Sequence, residues 1–202
     1  MLHTLSCFTL LFSVLITQHI FVNAVPNTVY IITNAETPSL KRPGLTPVGL
    51  KRADECIPGI FQTFNIGMIL SCTTDKDHEE GLSCPAAQRT AQPLANLLGL
   101  EIITCGTGEE SNDDCAENKM RAFAKTSTQN ILIVWDAAGL DDLFENIDVD
   151  FSDDEDDDDE DDDDDDNLGL HPDVIYTATK STIKFQTSMN CTGIDGQADG
   201  SF

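Results

Sequence analysis

"VYIITNAETP" (Val29–Pro38) is the stretch on which the fold of this chain turns. Val29 to Thr33 is a short β-branched run bounded by turn formers, which predicts a strand buried on both faces. A polar turn follows at once and presents Thr33, Asn34 and Ala35, none of them an obvious catalyst. In open α/β sheets ligands sit beyond the carboxyl ends of the strands, so this turn is a natural place for a site.

The segments downstream repeat the pattern. "PSLKRPG" is a loop, after which Thr46 reads as an N-cap with Pro47 at the first helical position, where its missing N–H costs nothing. Leu50, Ala53 and Ile57 recur at helical spacing, and Pro58-Gly59 is expected to end or kink that helix. "IGMILS" is a second strand. "AAQRTAQPLANLLGL" is a helix with Ala87, Ala91, Leu94 and Leu98 inward, a kink expected at Pro93 and a stop at Gly99. "LEIIT" and "NILIVW" are two more strands, separated by a helix over Cys115 to Lys125. "AGLDDLFENI" is a last short helix, and "VIYTATKSTIKFQT" reads as a late hairpin or a pair of edge strands. Four alternations of strand and helix predict one α/β domain over residues 25–202, a three-layer α/β/α sandwich around a mostly parallel, doubly wound sheet. The turns after Thr33 and Trp135 are the two candidate site positions.

Charge and cysteine content narrow the function classes. The first 24 residues contain no Asp, Glu, Lys or Arg, and the apolar run with Val22 and Ala24 reads as a cleaved signal peptide. A retained anchor is the competing reading, because the run approaches spanning length. The six remaining cysteines are an even set that suits a secreted, extracellular and oxidising setting. No CxxC or paired Cys/His spacing points to a metal, and no cofactor is expected. Six cysteines allow fifteen pairings. Loop proximity favours Cys72 with Cys84 and Cys105 with Cys115, which leaves Cys56 with Cys191.

The net charge is −25, and fourteen of those charges lie in one run, Asp153 to Asp166. Removing that run leaves −11 on the rest, so nucleic acid is not an expected partner. The run buries nothing and repels itself, which predicts a disordered internal loop at about 148–167. It is either a solvated tract or a polyanionic lure for basic proteins or divalent cations. Asn190 opens "NCT", a formal glycosylation sequon.

The order of these pieces resembles the histidine phosphatase superfamily, the phosphoglycerate mutase-like fold. "VYIITNAETP" lies where that family has strand–Arg–His–Gly–Glu–Thr, and "GLTPVGLKRADE" matches its Leu-Thr-Pro-x-Gly helix start. "AAQRTAQPLANLLGL" matches its Arg-x-x-x-Thr-Ala-x-x-Leu-Ala segment, and "NILIVWDAAGLDDL" its late strand. Secreted fungal members, with late strands like "NILICWEH", look nearest. The resemblance implies a phosphohistidine mechanism that needs a histidine nucleophile in a cage of cationic groups.

Carried over position by position, the resemblance implies a degenerate site. The nucleophile slot is Asn34, the arginine before it Thr33, the second pocket arginine Ala86, the second histidine Ala137 and the following proton donor Ala138. His78 and His171 lie in polar loops, away from both strand ends. Arg89 could reach the pocket by a different route, but one arginine is not a phosphate cage, and Glu109, Glu110, Asp113 and Asp114 are the acidic groups available as donors from another loop. Asn34 reads as a turn cap, with a polar anchor in a non-catalytic ligand pocket as the alternative, Trp135 as packing and Asp136 as a negative rim. The expected function is a secreted pseudoenzyme that acts by binding. A phosphohydrolase with unrecognised groups and a polyanionic interaction module are the alternatives.

Overall fold

The computed structural model describes residues 25–39, 42–74, 83–107, 114–151, 171–180 and 182–196. The presumed leader, His78, Glu109, Glu110, Asp113 and the acidic run lie outside them. The described residues form a mixed α/β fold around one sheet of seven strands, β1 (Val29–Thr33), β2 (Ile66–Thr73), β3 (Ile102–Gly106), β4 (Asn130–Trp135), β5 (Asp150–Phe151), β6 (Val174–Thr179) and β7 (Thr182–Ser188). Their order is β3-β2-β4-β1-β6-β7-β5. β3, β2, β4 and β1 pair in parallel, β6 joins β1 antiparallel, and β7 joins β6 antiparallel.

Of the parallel strands, β1, β2 and β4 are interior because their sequences are apolar on both faces, whereas β3 is an edge strand and only partly buried. Ile31, Ile32, Ile69, Leu70 and Ile131 to Val134 are fully buried. Each such side chain contributes about 1.5–3 kcal/mol relative to exposure. Thr33 stands opposite Trp135 in the register, so β1 and β4 end at the same level. The chain leaving β1 crosses to β2 on the far side of β4, whereas the chain leaving β4 travels to the opposite edge. Adjacent strands whose connections depart in opposite directions leave a crevice beyond their carboxyl ends.

The first helical segment departs from the simple 3.6-residue period. It comprises α1 (Pro47–Lys51), a π-helical turn (Arg52–Cys56) and α2 (Ile57–Phe61). The start is as the sequence indicates, with Thr46 Oγ1 accepting the Gly49 N–H at 3.0 Å. Leu50, expected on the buried face, is 38% exposed, and Arg52 is buried instead. The wider π turn shifts the angular register and turns Leu50 outward. Pro58 does not end the segment. It sits where π spacing gives way to α spacing, and the helix runs on to Phe61.

α3 (Cys84–Leu98) is unbroken through Pro93 and ends at Gly99, whose φ of 67° is the left-handed cap conformation. Ala87, Ala91 and Leu94 are fully buried, while Leu98 is half-buried. α4 (Cys115–Ala124) precedes β4, and α5 (Leu140–Asn146) follows it with Leu140, Leu143 and Phe144 inward. Order also extends further than the sequence suggested at the edge of the acidic loop. Asp148 adopts a φ of 54°, Val149 is buried, and Asp150 and Phe151 pair with β7. An apolar side chain at position 149 anchors this edge, whereas the charge run begins only at Asp153.

Three disulfides join Cys56 to Cys191, Cys72 to Cys84 and Cys105 to Cys115, with Cα separations of 5.7, 5.2 and 5.7 Å. The short bridges tie the ends of β2 and β3 to the helices that follow them. The long one fastens the segment after β7 to the π turn.

Candidate functional site at the strand ends

A cavity of about 250 Å³ opens beyond the carboxyl ends of β1 and β4. Thr33, Asn34, Glu36 and Thr37 reach it from the β1 turn, and Asp136, Ala137 and Ala138 from the β4 turn. The cavity thus lies at the crevice that the opposite departures of the two chains create.

Asn34 knits the two turns together. Its N–H donates to Trp135 O at 2.8 Å, continuing the β1–β4 ladder by one bond. Its side-chain oxygen accepts the Ala137 N–H at 3.1 Å, and its side-chain nitrogen donates to Ala35 O at 3.1 Å. Asn34 therefore does more than cap its own turn; it spans from β1 to β4. Thr90, fully buried in α3, extends the arrangement. Its hydroxyl accepts the Ala35 N–H at 3.0 Å and donates to Ala86 O at 2.8 Å.

Beneath the cavity, Glu36 is held by Arg52, whose Nη2 lies 2.7 Å from Oε1 and whose Nε lies 3.1 Å from the same oxygen. Arg52 also reaches Asp195 at 2.7 Å and the sulfur of Cys191 at 3.2 Å. Burial disfavours the guanidinium charge, but Glu36 and Asp195 outweigh it and hold Arg52 above its ordinary value. Room for this pair depends on Gly49. A Cβ there would stand 2.4 Å from the Glu36 carbonyl oxygen.

Of the positions singled out from sequence, Thr33, Asn34, Ala137 and Ala138 line one cavity. Ala86 does not; it is buried one helical turn before Thr90 and touches the site only through that residue. Arg89 points elsewhere, pairing with Asp54 at 3.0 Å on an exposed surface. Trp135 is buried in the core. His171 is exposed and outside the lining, and Asp114 precedes α4 without capping it through its side chain. Asn190 is exposed in a left-handed turn, and its neighbour Cys191 is bridged to Cys56.

Sequence reasoning passed over Glu36, Ser83, Thr90 and Pro172. Glu36 and Thr90 stand in the matched motifs, but nothing in either string marks Glu36 as paired with Arg52 or Thr90 as a latch on the β1 turn. Chemically, the cavity offers amide, hydroxyl and carboxylate groups. Among the described residues, its lining contains no histidine, cysteine, lysine or arginine. Among the described residues no group of three His, Cys, Asp or Glu side chains is placed to hold a metal ion.

No protein-family model matches the chain, and no curated protein matches it. Among solved structures, it is similar to a protein assigned as the phosphohistidine phosphatase SixA from Agrobacterium tumefaciens, at 18% identity. The match covers 55% of this chain and 68% of that one, with a TM-score of 0.38. Likeness at that level says nothing about what the cavity does.

Proposed function

We propose that the chain is a secreted, phosphoglycerate mutase-like protein of the histidine phosphatase superfamily, in the manner of its fungal members, that has no phosphatase chemistry and acts by binding. In this reading the sheet is the core of a three-layer α/β/α sandwich, and the strand-end cavity is the relic of a phosphoryl site. The carrying observation is Asn34 bonded to Ala137. At the two positions where the superfamily would place its histidines, a carboxamide oxygen accepts a backbone N–H at 3.1 Å. A carboxamide nitrogen is not basic and takes up no phosphoryl group, and losing the nucleophile removes the mechanism itself. Among the described residues, no cationic side chain in the lining compensates a phosphoryl oxygen, and Asp136 repels one.

The disulfides support the secreted part of the reading, since such bridges persist in oxidising compartments. Among the described residues no helix is long and apolar enough to cross a membrane.

The test is hydrolysis of an aryl phosphate ester by the purified protein, with and without added divalent cations. No turnover above the Asn34→Ala variant is expected. Turnover that disappears in that variant contradicts the proposal.

A further inference from the structure

The two carboxylates lining the cavity are compensated very differently. Glu36 is paired with Arg52 at 2.7 Å, a guanidinium it shares with Asp195. Asp136 is 5% exposed and is held by two neutral backbone groups, the Ala138 N–H at 3.3 Å and the Ser83 N–H at 3.4 Å. Backbone N–H···O bonds ordinarily close to about 2.7–3.2 Å. A carboxylate withdrawn from water and met only by long neutral contacts keeps a deficit that a cationic partner removes. Among the described residues, the cavity lining supplies no such cation.

The rest of the wall indicates which cation fits. A hard divalent ion takes about six to eight oxygen ligands, commonly including several carboxylates. Here one carboxylate is left over, because Arg52 already occupies Glu36. An organic ammonium asks for less, one anion and a few neutral acceptors within reach of three N–H donors. Thr33 and Thr37 offer hydroxyl oxygens on the opposite turn, while Ala137, Ala138 and Pro172 supply apolar surface for a short carbon body. A cavity of about 250 Å³ suits a molecule of that size.

We propose that the strand-end cavity binds a small organic cation, with its ammonium group paired to Asp136 and its carbon body against Ala137, Ala138 and Pro172. This rests on the binding reading above and adds to it the class of ligand, opposite in charge to a phosphate ester.

The experiment is a titration of the isotope-labelled full chain, followed through its backbone amide resonances. Ethanolamine hydrochloride is the cationic probe, sodium phosphate the anionic probe and sodium chloride the control at matched ionic strength. Ethanolamine is expected to give saturable shifts at Asn34, Ser83, Ala137 and Ala138, and phosphate none. Asp136→Asn should weaken the binding about tenfold or more, the scale of losing one charged partner. Ala138→Lys is the second variant. It keeps the carboxylate and both backbone contacts, supplies an ammonium from the chain itself, and should abolish saturable binding while raising the melting temperature.

Saturable phosphate binding at these residues overturns the proposal. Ethanolamine shifts that stay linear and spread over the acidic surface overturn it as well, as does wild-type affinity in both variants. Failure of the non-catalytic reading has a separate signature, namely turnover of the aryl phosphate, whatever the outcome of this titration.

Discussion

The side-chain oxygen of Asn34 accepts the backbone N–H of Ala137 at 3.1 Å across 103 residues of sequence. The bond joins the ends of two parallel strands at the point where both chains turn away from the sheet. Asn34 is 8% exposed, so the bond is largely shielded from water. Replacing Asn34 by Ala leaves the Ala137 N–H without its acceptor, a loss of about 1–3 kcal/mol. Urea unfolding should show a lower midpoint with an unchanged slope. Asn34→His places an imidazole at the cavity without a cationic partner in the described lining, and should remain without turnover on an aryl phosphate.

Gly49 and Glu36 make the second testable contact. A methyl group at position 49 would lie 2.4 Å from the Glu36 carbonyl oxygen and 3.0 Å from its nitrogen, backbone atoms that cannot swing aside. Gly49→Ala gains helix propensity yet should destabilise by about 1–3 kcal/mol through overpacking. Because the displaced backbone carries Glu36, the same variant should also disturb the cavity resonances. A neutral or stabilising result in urea would show that the β1 turn is softer than its hydrogen bonds imply.

The Cys56–Cys191 bridge spans 135 residues, against 12 and 10 for the other two. On loop-closure entropy alone its removal costs about 5 kcal/mol, and each short bridge about 3 kcal/mol. Paired Cys→Ser replacements, compared by guanidinium unfolding, should rank in that order. The gap should widen further, because loss of the long bridge also loosens Asp195 from Arg52.

Tyr176 gives the pH dependence a direction. Burial, and then the nearby Asp141 charge, push its phenol above the ordinary value of 10.0. The unfolded chain therefore releases this proton first. The contribution is fully present below pH 10 and is lost as pH rises through the folded value. Tyr30 is raised by burial in the same sense. Stability measured at a series of alkaline pH values should fall above pH 10, and Tyr176→Phe should flatten that fall.

Much of the fold was legible because it is local. The β1 strand, the Thr46–Pro47 helix start, the α3 helix and the Gly99 stop each follow from side-chain period, caps and φ preferences within a few residues. Leu50 was misread for a physical reason. A π turn leaves no mark in the apolar spacing, and Arg52 is buried only because Glu36 and Asp195 are there to receive it.

By itself, the sequence determined which side chains stand at the strand ends. No arrangement of this chain puts a histidine at position 34 or 137, and no folding makes a carboxamide basic. Only the tertiary structure decided what stands there instead. Hydrogen bonds are short-ranged, so whether Asn34 caps its own turn or reaches Ala137 depends on the register of β1 against β4. Charges are felt through whatever lies beside them. Arg52 arrives from the π turn to pair with Glu36, and among the described residues no cation from the lining does the same for Asp136.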